Sequence, residues 1–255
     1  MTSLEGMRFF IALQFLTRLP VKHIDPLPRD WLVRAAKYLP VVGGLIGVAT
    51  GGVILLASHI FPSPLPVILG LAFAILLTGG LHEDGLADTA DAFGGGHTRE
   101  RCLEIMKDSS IGTYGTLALV VTFALKAGAL AHVDPFTAAK IVVAGFAGAR
   151  LAAVLALATL SYAGGETAKV SRTTSDMTAN EIWVALAGGL IIGFICLSPL
   201  VFLLSTLLAG VAAAVVALIA HQKIGGYTGD VLGAIEQVYE TAFIIFTVTV
   251  IAGPG

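Results

Sequence analysis

Between Leu81 and Asp91 the chain reads Leu-His-Glu-Asp-Gly-Leu-Ala-Asp-Thr-Ala-Asp, which puts four carboxylates (Glu83, Asp84, Asp88 and Asp91) into nine residues. The surrounding sequence is 56% hydrophobic and only 13% charged, so the cluster is costly to place. On a helix advancing about 100° per residue, Asp84, Asp88 and Asp91 fall within roughly 60° of one another, with Glu83 at the edge of that face. Like charges stacked this way destabilise a helix, and a cation between them removes the penalty. Oxygen ligands suit Mg²⁺, which is held by a few carboxylates together with substrate phosphates. The spacing therefore predicts a divalent-metal site for phosphate chemistry, with Glu83, Asp84, Asp88 and Asp91 as ligands. His82 reads as a base, a further ligand or an ordinary interfacial residue.

Two more polar blocks carry similar residue types. Gly94-Gly95-Gly96 stops the acidic segment, and His97–Met106 reads as a short helix. Lys107-Asp108-Ser109-Ser110 then precedes Gly112 and Gly115 at the start of an apolar run. Such a segment binds phosphate through free helix N–H groups, or merely anchors and caps the helix. The third block, Gly225-Gly226-Tyr227-Thr228-Gly229-Asp230, offers Thr228 and Asp230 as ligand contacts, against the plainer reading of a turn with Asp230 as N-cap.

The elements that must position these blocks are membrane helices. Mean hydropathy is +0.89, and a spanning helix needs roughly 20 mostly apolar residues. Spans are expected near Tyr38–Phe61, Leu65–Leu81, Gly112–His132, Phe136–Ser161, Ile182–Leu197, Pro199–Ala220 and Val238–Ala252. The expectation is an all-α, polytopic membrane protein of about seven transmembrane helices, one domain over residues 1–255, with the lipid bilayer as partner. Phe9–Leu16 is too short to span and reads as a surface or re-entrant segment, not a cleaved signal. Gly43, Gly47 and Gly51 mark a packing stripe. Net charge is −2 with no basic tail, which argues against nucleic acid. Cys102 and Cys196 read as free thiols, and a homo-oligomer is compatible with the sequence.

Arg8, Arg18, Lys22, Arg29, Arg34 and Lys37 precede the first span and place the N-terminus in the cytoplasm. Arg99, Arg101 and Lys107, then Lys169 and Arg172, then Lys223 occupy alternate connections, so all three polar blocks are expected on the cytoplasmic side. Lys126 and Arg150 lie inside spans, either to bind an anionic substrate or to neutralise carboxylates. Lys140, near a span end, reads as snorkelling.

The run Gly79-Gly80-Leu81-His82-Glu83-Asp84-Gly85-Leu86-Ala87-Asp88-Thr89-Ala90-Asp91 closely resembles the signature of the cobalamin synthase family, the adenosylcobinamide-GDP ribazoletransferases. The likeness extends to Phe15-Leu16-Thr17-Arg18-Leu19-Pro20, to Met106-Lys107-Asp108-Ser109 with Gly112 and Gly115, and to Gly226-Tyr227-Thr228-Gly229-Asp230, in the family's order and across nearly the whole chain. The resemblance implies a Mg²⁺-dependent enzyme of the bacterial inner membrane. It would join adenosylcobinamide-GDP to α-ribazole or its 5′-phosphate and release GMP. Asp84, Asp88 and Asp91 would then hold metal on the pyrophosphate. One uncommitted carboxylate or His82 would accept the proton of the attacking hydroxyl, and Lys107 and Arg18 would contact phosphate. A second resemblance, to the CDP-alcohol phosphotransferases, is partial, because Leu86-Ala87-Asp88 stands where that family has Ala-Arg after its Asp-Gly pair. Lipid phosphotransfer and cation transport are the competing readings; transport wants its carboxylates at mid-membrane, and these lie beyond a span's end.

Overall fold

A computed structural model describes residues 4–21, 24, 30–164 and 177–253. Lys22, Arg29, Lys169 and Arg172, used above for orientation, lie outside these described residues. The chain forms α1 (Leu4–Leu16), α2 (Trp31–Ala36), α3 (Leu39–Ser58), α4 (Leu65–Thr78), α5 (Leu81–Gly95), α6 (Arg99–Ile105), α7 (Thr113–Leu130), α8 (Pro135–Thr159), α9 (Ala179–Cys196), α10 (Pro199–Ile224) and α11 (Gly229–Ala252). Among the described residues there is no strand, only an isolated bridge between Tyr162 and Tyr227.

Six helices, α3 and α7 to α11, are each long and apolar enough to cross a membrane. The expected span Leu65–Leu81 is different. It ends at Thr78, and α4 and α5 pass the same test only as a pair bent by 89°, which makes seven spans at most. The bend has a local cause. Gly79 and Gly80 both sit at φ 73°, the left-handed region that side chains disfavour, and Gly80 N–H bonds back to Ile75 C=O at 2.9 Å. The other correction concerns the last span, expected to begin at Val238. It starts nine residues earlier at Gly229, because Glu236, Gln237 and Glu240 lower its hydropathy while lying buried inside the bundle.

Helix α8 is the centre of the bundle and most of its length is buried. The stripe Gly43, Gly47, Gly51 lets α3 lie directly on it: an added Cβ would stand 2.6 Å from Phe146 O, 2.7 Å from Val143 Cα and 2.9 Å from Ala139 Cβ respectively. Asp134 caps α8 by accepting from Phe136 N–H and Thr137 N–H, both at 3.0 Å. Helix α1 has 13 residues, too few to span, and packs by Ile11, Ala12 and Leu16. The large exposed apolar side chains, such as Leu76, Leu203, Ile195 and Leu207, lie on the outward helix faces, where a bilayer would cover them.

The polar blocks gather at one end of the bundle. Ala163 N–H bonds Tyr227 C=O at 2.8 Å and Tyr227 N–H bonds Ser161 C=O at 2.9 Å. Arg99 donates to Ile224 C=O and Ala163 C=O, at 3.0 and 3.1 Å. Lys223 donates to Phe93 C=O and Gly96 C=O, at 2.7 and 3.2 Å. Helix α5 runs from the interior to this end between α11 and α7: Gly233 of α11 lies against His82, and Asp230 against Gly85, so the two helices are antiparallel. Cys102 is buried and Cys196 half-buried, both as free thiols.

Candidate functional site

Helix α5 sorts its acidic residues onto three different surroundings. Asp84 is exposed and Asp88 half-buried. Both line a polar cavity of about 570 Å³ with Arg18, Ser109, Gln14 and Thr17. Arg18 is placed by the bend itself: its N–H bonds Leu77 C=O at 2.8 Å, and its guanidinium donates to Gly79 C=O at 3.4 Å. Asp88 lies within electrostatic reach of Asp84, Asp230 and Asp91, and Asp230 within reach of Asp84. Among the described residues no lysine or arginine forms an ion pair with Asp84, Asp88 or Asp230. These carboxylates repel one another without internal compensation.

Asp91 has other work. Its carboxylate accepts from Gly112 N–H at 2.7 Å and Gly115 N–H at 2.9 Å, closing the N-terminus of α7. A Cβ on either glycine would come within 2.5 Å or 2.4 Å of that carboxylate, which is why glycine occupies both positions. The helix N-terminus expected to cradle phosphate is therefore already filled by an internal anion. Sequence periodicity put Asp91 on the metal face; the carboxylate instead satisfies backbone donors that an apolar interior leaves with no water.

Glu83 and His82 face the interior. Glu83 Oε1 accepts from Gln237 Nε2 at 3.2 Å. His82 Nε2 lies 3.0 Å from Glu236 Oε2, and its Nδ1 lies 3.3 Å from an Arg150 nitrogen. His82 is buried and turned toward Glu236 and Arg150, which disfavours, of the roles open to it, that of a base beside Asp84. The same network includes Arg150 with Glu236 at 3.2 Å and with Glu240, and Lys126 with Gln237 at 2.7 Å and Glu240 at 3.2 Å. Of the two roles open to Lys126 and Arg150, the structure selects neutralisation of carboxylates. Glu236, Gln237 and Glu240 were passed over as site residues; the available signal was their polar spacing in an otherwise apolar run, facing two lone cations in other spans.

The remaining blocks flank the acidic pocket. Lys107, Met106, Tyr162, Thr228 and Asp230 line a second cavity of about 290 Å³. Thr228, not Asp230, is the N-cap of α11: its Oγ1 accepts from Val231 N–H at 3.2 Å. Asp230, inside the first turn, is free to face the pocket apart from a 3.3 Å bond from the Thr228 hydroxyl. Asp108 is exposed and accepts from Ser110 N–H at 3.0 Å, which holds its carboxyl below the ordinary range. It lines neither cavity.

Among the described residues no three His, Cys, Asp or Glu side chains are arranged to hold a metal ion unaided. The donor chemistry nevertheless suits a hard cation that brings its own water and phosphate ligands. Such an ion needs only one or two carboxylates, and Asp84, Asp88 and Asp230 supply unpaired oxygen.

The chain matches the family model described as cobalamin-5-phosphate synthase over residues 8–248. It is 40% identical to a protein named adenosylcobinamide-GDP ribazoletransferase from Leptothrix cholodnii, with 93% of each chain covered. Proteins of the same name from Bradyrhizobium diazoefficiens and Shewanella oneidensis are 39% and 34% identical, covering 92% and 96% of this chain and 90% and 94% of the relatives. No solved structure matches it. With an acidic pocket at the polar end of a helical membrane bundle and relatives aligned along its length, the chain belongs to the cobalamin-5-phosphate synthase family.

Proposed function

We propose that the acidic pocket transfers the adenosylcobinamide phosphate moiety of adenosylcobinamide-GDP to α-ribazole or its 5′-phosphate, releasing GMP. The single observation that carries this reading is the meeting of unpaired Asp84 and Asp88 with Arg18 and Ser109 in one polar cavity. The names of the relatives supply the substrates.

In the transfer, a ribose hydroxyl of the ribazole forms a new oxygen–phosphorus bond while the bond to GMP breaks and GMP leaves with its oxygen. The hydroxyl proton passes to whichever of Asp84 and Asp88 is not committed to a cation. Arg18 and Ser109 hold phosphate oxygens and keep the reacting phosphorus beside these carboxylates. A divalent cation, Mg²⁺ by its preference for oxygen, would be held by Asp84, Asp88 and Asp230 and would offset charge on the pyrophosphate. Lys107, which lines the neighbouring cavity with Asp230, would contact the second phosphate. The alternation of basic connections in the sequence supports a reading with this end of the bundle in the cytoplasm and the protein in the bacterial inner membrane.

The test is GMP release by membranes carrying the protein, supplied with adenosylcobinamide-GDP, α-ribazole and Mg²⁺. Release that needs both α-ribazole and metal supports the reading. Turnover of CDP-alcohols or prenyl diphosphates with none of cobinamide-GDP would replace it with lipid phosphotransfer.

A further inference from the structure

A separate cavity of about 490 Å³ lies between α4 and α7. Its walls are apolar, formed by Leu71, Ala74, Ile75, Val120, Phe123 and Ala124. One end is polar, where Glu83, Lys126, Gln237 and Glu240 reach it from the buried network. Thr78 and Leu119 line this cavity and the acidic pocket alike, so the two share a wall.

One donor at the polar end is left for a ligand, whereas Glu83 Oε2 is closed off without a hydrogen-bond partner and Oε1 is satisfied. Lys126 gives one N–H to Gln237 and one to Glu240, and its ammonium has three. Apolar walls with a small number of polar groups at one end are the usual make-up of a small-molecule site.

We propose that this cavity seats the heteroaromatic base of the acceptor nucleoside. The inference rests on the functional reading above and deepens it. α-Ribazole carries a flat, largely apolar benzimidazole with one imine nitrogen, which matches the walls and the remaining Lys126 N–H. Its sugar would then cross the shared edge at Thr78 and Leu119 and bring a hydroxyl toward Asp84 and Asp88. Guanine fits badly, because its amide and amino groups would be stranded against apolar walls.

Benzimidazole itself is the probe, followed by its own fluorescence on the purified full-length protein in lipid nanodiscs. Wild type should bind it saturably. Ala124→Phe, which fills the cavity from an exposed helix position, should weaken binding about tenfold or more, as should Val120→Trp on the same wall. Ala217→Phe, which fills a different apolar cavity beside Leu151 and Tyr239, should leave it unchanged. In turnover, Ala124→Phe should raise the KM for α-ribazole about tenfold and leave that for adenosylcobinamide-GDP in place. Equal benzimidazole binding by wild type, Ala124→Phe and Val120→Trp would overturn the proposal and leave the cavity to a lipid chain. Equal rises in both KM values would overturn it too. Saturable, variant-sensitive binding without any GMP release would instead sink the functional reading while the base site stands.

Discussion

On one side of α5, Asp84 and Asp88 face a polar cavity with no lysine or arginine among the described residues paired to them. On the other, His82 and Glu83 join Lys126, Arg150, Glu236, Gln237 and Glu240 in a network inside the bundle, bordered by the apolar-walled cavity. The same helix thus carries unanswered charge outward and answered charge inward. Burial explains the difference. A charge taken out of water is tolerated only when paired and hydrogen-bonded. At the open end water is available, so repulsion among carboxylates persists until a ligand arrives. Compensation marks the side that holds the fold, and its absence marks the side held ready for substrate.

The comparison breaks first at Asp84. Asp84→Asn should lower GMP release by about a thousandfold or more, near 4 kcal/mol of barrier, while thermal unfolding of the detergent-solubilised protein stays level or rises. A fall in unfolding temperature as large as that of an interior variant would erase the distinction between the two sides. Arg150→Met should do the reverse, costing about 3–5 kcal/mol of stability by leaving Glu236 to His82 and Glu240 to Lys126 alone. Removing one of those charges as well, in Arg150→Met with Glu240→Leu, should recover part of the loss.

Asp91 sharpens the comparison, since it is acidic yet belongs to the structural side. Asp91→Asn keeps the shape but loses the carboxylate that serves both Gly112 and Gly115, at a cost of about 2 kcal/mol. Hydrogen exchange at the start of α7 should quicken, whereas the metal concentration giving half-maximal activity should not move. The smallest effect belongs to Arg18→Ala, which should raise the KM for adenosylcobinamide-GDP about tenfold, near 1.4 kcal/mol, with kcat little altered.

How far the sequence carried can be judged residue by residue. The apolar runs of α3 and α7 to α10 were legible because length and hydropathy suffice for a membrane span. The α4–α5 break was hidden, because an apolar run followed by a polar one does not show that Gly79 and Gly80 turn the chain through 89°. Helical periodicity grouped Asp84, Asp88 and Asp91 correctly by angle but treated the outside of α5 as uniform. In the fold α7 reaches the last of the three and α11 lies along the helix, so residues one turn apart meet different neighbours.

Composition and pattern by themselves determined an all-helical membrane protein and an acidic segment suited to phosphate chemistry, since these depend on residue type and local spacing; the family came from the resemblance of its motifs. Only the tertiary structure decided which carboxylates remain free. Asp91 is spent on the α7 backbone and Glu83 turns inward to Gln237, while Asp230 comes within electrostatic reach of Asp84 from a helix well over a hundred residues away in sequence. Charge pairing depends on distance in space, and no local pattern records which distant lysine, arginine or backbone N–H will lie within reach.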